Sequence, residues 1–204
     1  MVSVILLAAG ESKRLRMPKL LLPFGKSTIL EQTIDNLLNS RVDEVIVVLG
    51  YRAEEMMRKL ANRPVKIAIN PIYHQGMSTS IVKGLSLVND RAQAIMVALA
   101  DQPLINSLTI NRLIEESLGY DKGIVIPTYQ AETGHPVIFV SKYKEELLGL
   151  KGDIGGRQTI KGHPSDTLEV IADSKAITMD INTINDYYTH LKLIQVPKLL
   201  FPKI

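Results

Sequence analysis

Val4-Ile5-Leu6-Leu7-Ala8-Ala9 runs straight into Gly10-Glu11-Ser12-Lys13-Arg14-Leu15-Arg16-Met17-Pro18-Lys19, and this junction decides the fold. An apolar run of that length, stopped by glycine, reads as a buried strand. In an open parallel sheet, ligands bind beyond the carboxyl ends of the strands, which is where the following loop must lie. Small residues at Ala8, Ala9 and Gly10 let a ligand approach the backbone, while Arg14, Arg16 and Lys19 offer positive charge to phosphate oxygens. A solvated basic turn accounts for the same composition, because short Lys and Arg clusters are common on surfaces.

Outward from this junction, apolar runs of strand length recur at residues 45–49, 65–69 and 94–100, separated by segments of helical periodicity. That alternation is the β-α-β-α signature of a mostly parallel sheet. The first helix is expected from Ser27 or Thr28, where Thr28 and Glu31 have capping-box spacing. Other helices are expected over residues 53–60, 78–88, 108–118 and 142–148. Beyond about residue 120 the runs shorten, at 123–127, 136–140, 168–171 and 176–179, and read as added strands in a substrate-facing subregion. A last helix is expected from Thr183, with Asp186 three residues on. The expected organisation is one α/β domain over residues 1–192, followed by an apolar tail, 193–204, that Pro197 and Pro202 keep from being a regular helix. The tail is expected to pack on its own domain or on a second subunit.

The composition narrows the function. A chain of 204 residues, 46% apolar, can bury a continuous core. Its net charge of +3 is too slight and too dispersed for a duplex nucleic-acid binder, so no nucleic-acid partner is expected. With no cysteine, a disulfide framework, a thiolate metal site and a cysteine nucleophile are excluded, which fits a cytoplasmic protein. The apolar start lacks a basic n-region and stops at Gly10, so it is not read as a signal peptide. No apolar stretch approaches the roughly 20 residues of a membrane-spanning helix, and no membrane partner is expected.

Several polar groups fall at strand ends. Asp101, in Leu99-Ala100-Asp101-Gln102-Pro103, stands at the carboxyl edge near the first loop and suits Mg²⁺, which takes carboxylate oxygens, substrate phosphates and water. Asp-x-Pro is also ordinary turn chemistry. In Asp180-Ile181-Asn182-Thr183, Asp180 or Asn182 would complete a metal site with Asp101, or Asn182 or Thr183 would simply cap a helix. Asn70-Pro71 through Gly76-Met77-Ser78-Thr79-Ser80 leads into a helix whose free N–H groups suit a base edge or a phosphate, although a Ser cap explains Ser78 alone. Gly134-His135-Pro136 and Gly152-Asp153-Ile154-Gly155 are further glycine loops with a polar group embedded. Other chemistries lack their signatures. Gly25-Lys26-Ser27 ends like a Walker A loop, but the required first glycine falls on Leu20. No G-x-G-x-x-G follows the first strand, no histidines pair at i, i+4, and no G-x-S-x-G occurs.

The order of these motifs resembles the MobA-like nucleotidyltransferases, and most closely their molybdenum cofactor cytidylyltransferase branch. Leu7-Ala8-Ala9-Gly10, Ser12, Arg14 and Lys19 match the family's opening L-A-A-G-x-S-x-R-M-G-x-x-K. Asn70-Pro71, Gly76-Met77-Ser78-x-Ser80, Leu99 to Pro103, Gly134-His135-Pro136, Gly152-Asp153-x-Gly155 and Asp180-Ile181-x-Thr183 follow in order, so that the resemblance spans residues 3 to about 190. It implies a Rossmann-like three-layer fold with Arg14, Lys19 and Asp101 as catalytic residues. Leu7 to Gly10, Arg14, Lys19, Asn70, Gly76, Ser78, Ser80 and Asp101 would hold the nucleotide. Gly134, His135, Pro136, Asp153 and Gly155 would face the acceptor, and Asp101 with Asn182 would ligate Mg²⁺. The double alanine is typical of the cytidylyl branch, which makes CTP the expected nucleotide and molybdopterin the expected acceptor, with a molybdoenzyme as candidate partner and a monomer or homodimer as the assembly. Two positions depart from the pattern. Leu15-Arg16 stands where the family has Met-Gly, and Asn182 where it has the second Asp of D-I-D-T, which implies weaker metal affinity. A nucleotidyltransferase for sugar phosphates and a non-catalytic nucleotide-binding accessory protein are the rival readings.

Overall fold

The computed structural model describes residues 1–194. Along the chain run β1 (Val2–Ala8), β2 (Pro23–Phe24), β3 (Ser27–Thr28), α1 (Ile29–Leu38), β4 (Glu44–Leu49), α2 (Ala53–Leu60), β5 (Lys66–Ile69), α3 (Met77–Leu85) and β6 (Ala94–Leu99). They are followed by α4 (Ser107–Gly119), β7 (Ile124–Tyr129), β8 (Glu132–Thr133), β9 (Val137–Val140), α5 (Lys144–Leu148), α6 (Arg157–Gly162), β10 (Thr167–Ile171) and α7 (Ile184–Leu193).

One sheet of eight strands organises these elements in the order β10-β7-β9-β6-β1-β4-β5, with β8 paired to β7. Its ladders are parallel except where β9 enters between β6 and β7 and where β8 folds back on β7. The chain therefore winds from β1 through β4 to β5 on one side, then returns past β1 to start β6 on the other. That reversal opens a crevice at the carboxyl ends of β1 and β6, where doubly wound sheets bind their ligands.

Helices cover both faces, which explains why the strands are apolar without alternation. Val4, Leu6 and Ala8 of β1 pack in one core cluster with Leu30, Ile34, Met56, Leu113 and Tyr187 from α1, α2, α4 and α7. Ile5 turns the other way, towards Ile81 and Leu85 of α3 and Leu147 of α5. Helix α1 starts where its spacing predicts: Thr28 Oγ1 accepts from the Glu31 amide at 3.3 Å and Glu31 returns a bond to the Thr28 amide at 2.9 Å. Thr183 and Asp186 make the same reciprocal pair at the start of α7.

Three expectations about local structure need correction. Residues 176–179 are not a strand; Lys175–Thr178 is a 3₁₀ turn, capped by Ser174 Oγ, which accepts from the Ala176 amide at 3.1 Å. The Ile177 carbonyl there accepts from the His135 amide and the Gln102 side chain instead of a neighbouring strand. Helix α3 stops at Leu85, three residues early, because the Leu87 and Val88 amides turn back to Gly84 and Leu85. Helix α6 carries no apolar periodicity of its own and was not expected. The expectation for the tail lies mostly outside the described residues.

Candidate active site

Strand β1 delivers the first loop to the crevice. Leu7 is in register with Leu99 of β6, and the Ala100 amide bonds the Leu7 carbonyl at 3.1 Å, so Gly10 and Asp101 emerge side by side. Ala8 and Ala9 are buried, whereas Gly10 is exposed. A Cβ built on Gly10 would meet nothing within 4 Å. Among the described residues no atom requires glycine here, so the space it leaves is open to an incoming molecule.

The loop then makes a tight turn. The Leu15 and Arg16 amides both bond the Ser12 carbonyl, at 3.0 and 3.1 Å, and Leu15 is anchored in the core. Ser12 and Arg16 bracket the turn with φ of 57° and 56°, in the left-handed region. The departure at Arg16 therefore leaves the loop in a conformation that glycine adopts without cost. Arg14 and Arg16 are exposed, and Lys13 is paired with Glu11.

Lys19 returns from the loop into the crevice. Its Nζ donates to Asp101 Oδ2 at 2.5 Å and to Asn182 Oδ1 at 3.2 Å, with the Lys19 and Asp101 side chains mostly shielded from water. Three segments distant in sequence thus meet at one ammonium group. Asp101 is held from behind by α1: Thr33 Oγ1 donates to the Ala100 carbonyl, and Asn36 Nδ2 to those of Pro103 and Ile105. Gln102 is buried and turns inward, its Nε2 donating to Asp180 Oδ1 at 2.6 Å and to the Ile177 carbonyl at 3.1 Å. Burial and the neighbouring Asp101 carboxylate raise the pKa of Asp180, against the bond from Gln102.

The third wall is the 134–136 segment. The Gly134 amide bonds the Pro127 carbonyl, the His135 amide bonds that of Ile177, and the His135-Pro136 peptide is cis. A Cβ on Gly134 would fall 2.3 Å from the Ile177 oxygen, so glycine is needed for this approach. Burial lowers the pKa of His135 although the Asp180 and Asp101 charges act the other way, and its Nδ1 has no partner. A neutral imidazole with a free ring nitrogen can hydrogen-bond a polar ligand.

Residues 70–80 and 152–155 form a second group that is closed on itself. Asn70 is buried; its Nδ2 donates to Thr79 Oγ1 and Ser80 Oγ, and its Oδ1 accepts from the Ile72 amide. Gly76, at φ 118°, presses against Gly152, and a Cβ there would lie 2.5 Å from the Gly152 carbonyl carbon and oxygen. The Ser78 amide bonds the Gly152 carbonyl, and the Met77 amide bonds Asp153 Oδ1 at 3.0 Å, which places a carboxylate at the N-terminus of α3. Gly155, at φ 58°, sits against Met77. Arg157 follows on α6, within electrostatic range of His135.

Sequence alone singled out Lys19, Asp101 and Asn182, which the fold brings together, but it did not assign roles to Gln102, Thr33 or Asn36. Gln102 carried a signal in standing next to Asp101; Thr33 and Asn36 carried none, because helix positions of this type are usually solvated. A carboxylate and an amide oxygen converging on one cationic point form a hard-oxygen donor set, the kind that Mg²⁺ accepts alongside phosphate and water. Among the described residues no three His, Cys, Asp or Glu side chains gather as a complete metal cage, so substrate oxygens would have to complete the coordination. Among the same residues, no helix is long and apolar enough to cross a membrane.

The chain is similar to known proteins over nearly their whole length. The chain is 29% identical to the molybdenum cofactor cytidylyltransferase of Escherichia coli K12 over 189 residues, 92% of this chain and 94% of that one. It is 27% identical to the nicotine blue oxidoreductase of Paenarthrobacter nicotinovorans over 194 residues, 92% and 95% of the two chains. Rv0371c of Mycobacterium tuberculosis H37Rv has the same fold, with a TM-score of 0.85 at 29% identity over 94% of this chain and 97% of that one, and its structure has also been solved with manganese. The model of the MobA-like NTP transferase domain matches residues 4–168, and the chain belongs to that family of nucleotidyltransferases.

Proposed function

We propose that this protein transfers CMP from CTP to the terminal phosphate of molybdopterin, with Mg²⁺, releasing pyrophosphate. The observation that carries the reading is Lys19 Nζ held between Asp101 and Asn182, in the crevice into which β1 delivers the open Gly10. The likeness to the E. coli cytidylyltransferase and the Ala8-Ala9 form of the first loop support cytidine over guanine.

An acceptor phosphate oxygen attacks the α-phosphorus of CTP; the new P–O bond forms as the bond to the bridging oxygen of the β-phosphate breaks, and pyrophosphate leaves with that oxygen. Lys19 and Arg14 offset the charge that builds on the phosphate oxygens, where charge-assisted hydrogen bonds in a partly dry site are strong. Asp101 and Asn182 would hold Mg²⁺, whose contribution is to neutralise and orient the triphosphate. Open space at Gly10 admits the nucleotide close to the backbone, and the neutral ring of His135 faces the acceptor side. Positioning, rather than a covalent enzyme intermediate, supplies the acceleration.

The test is magnesium-dependent pyrophosphate release with CTP, GTP and ATP, each offered molybdopterin and common sugar phosphates. Release with CTP and molybdopterin supports the reading. Turnover only with sugar phosphates would replace the acceptor. Nucleotide binding without release in any combination would favour an accessory protein, and redox turnover of nicotine blue would move the chain towards its oxidoreductase-named relative.

A further inference from the structure

Arg16 occupies a left-handed backbone position, φ 56°, that a residue with a Cβ enters only at an energetic cost. Glycine would adopt this backbone without that cost. Strain retained in a ligand loop is a reason to ask what the side chain does. The charges of the loop supply the answer. Lys13 is paired with Glu11, and Lys19 with Asp101. Arg14 and Arg16 are exposed, and their guanidinium groups have no hydrogen bond or ion pair among the described residues. Lys19 lies deep in the crevice, with its side chain 15% exposed, whereas Arg16 stands three residues back on the outer turn. Anchored Leu15 and the two amides bonded to Ser12 fix the base of Arg16 in the turn that leads to Lys19.

We propose that Arg16 is a further binding residue for the β- and γ-phosphates, and so for the pyrophosphate that leaves. The inference rests on the reading of the first loop as a triphosphate site. A guanidinium suits this position because its planar fork engages two phosphate oxygens at once and stays charged at any working pH. Holding the β- and γ-phosphates alike in substrate and in product, Arg16 would set affinity for triphosphate and the strength of product inhibition, and binding that is uniform from ground to transition state leaves kcat largely alone.

The experiment measures binding of magnesium pyrophosphate to the full chain by calorimetry, with its inhibition of turnover, in Arg16→Gly, Arg16→Gln and Arg16→Lys. Arg16→Gly relaxes the backbone and removes the charge, which separates the two effects. The expected result is about tenfold weaker pyrophosphate binding in Arg16→Gly and Arg16→Gln alike, partial recovery in Arg16→Lys, a matching rise in KM for CTP, and kcat within about twofold of the parent. Parental binding in Arg16→Gly would overturn the proposal, and so would an unmodified protein that binds no pyrophosphate. Lys19→Ala and Arg14→Ala tell apart the two levels of failure. If they lose pyrophosphate binding while Arg16 variants do not, only the role of Arg16 falls; if none of them changes it, the reading of the whole loop falls.

Discussion

Two glycine-bearing loops border the same crevice, and they use glycine for opposite reasons. At Gly10 a Cβ would project into space that no atom of the described residues occupies. At Gly76 it would strike the backbone of Gly152 at 2.5 Å, in a conformation, φ 118°, that side chains rarely adopt. The first loop leaves part of its polar capacity free: Gly10 is open, and the Arg14 and Arg16 guanidinium groups have no partner among the described residues. Around Gly76 the groups satisfy one another, with Asn70 bonded to Thr79 and Ser80, and Asp153 to the Met77 amide. Similar motifs in sequence therefore divide into a surface prepared for a ligand and a wall that holds its shape.

The largest test of this contrast is Asp101→Ala, on the ligand side. Turnover should fall by about two to four orders of magnitude while the melting temperature stays near the parent, because the lost carboxylate bonds Lys19 and not the scaffold. Full pyrophosphate release in this variant would remove Asp101 from the chemistry. A sharper test exchanges the two glycines for alanine. Gly76→Ala should cost about 3 kcal/mol or more of stability, read as a fall in melting temperature, since backbone must shift on both sides of the contact. Gly10→Ala should leave the melting temperature within about 2 °C and raise KM for the nucleotide about tenfold or more. An unchanged KM there would mean that the open space at Gly10 is not the nucleotide's. The smallest effect is expected from Asp153→Asn, which keeps the hydrogen bond to Met77 but removes the charge at the start of α3. A loss of about 0.3–1 kcal/mol, shrinking with added salt, should appear in denaturant titrations.

What could be read from the residues was local or periodic. Unbroken apolar runs placed the parallel strands, and Thr28 with Glu31 placed the start of α1 because both partners lie within one turn. Lys19, Asp101 and Asn182 were legible as chemistry, though their meeting depends on winding that brings positions 82 and 163 residues apart onto one atom. The inward turn of Gln102 towards Asp180 was not legible, because nothing in a short polar motif says which side chain faces the interior. Residues 176–179 look like a strand on hydropathy, but the carbonyl of Ile177 already has two donors from elsewhere in the fold, and the local cap at Ser174 favours a turn. The left-handed geometry at Arg16 is hidden for a similar reason: the residue type argues against it, and only the bonds to Ser12 impose it.

Helix α1 has a further bearing on how the crevice is held. Thr33 and Asn36 fasten the segment behind Asp101 with three hydrogen bonds from a buried helix, so that side of the site rides on the core. The opposite lip, residues 10–18, is held by buried Leu15, by Met17 packed on the core, by the bonds within its own turn and by the contact of Glu11 with Tyr73. The edge carrying Asp101 is thereby the braced side of the crevice, fastened to the core through α1, and a nucleotide entering it meets a rigid reference on that side.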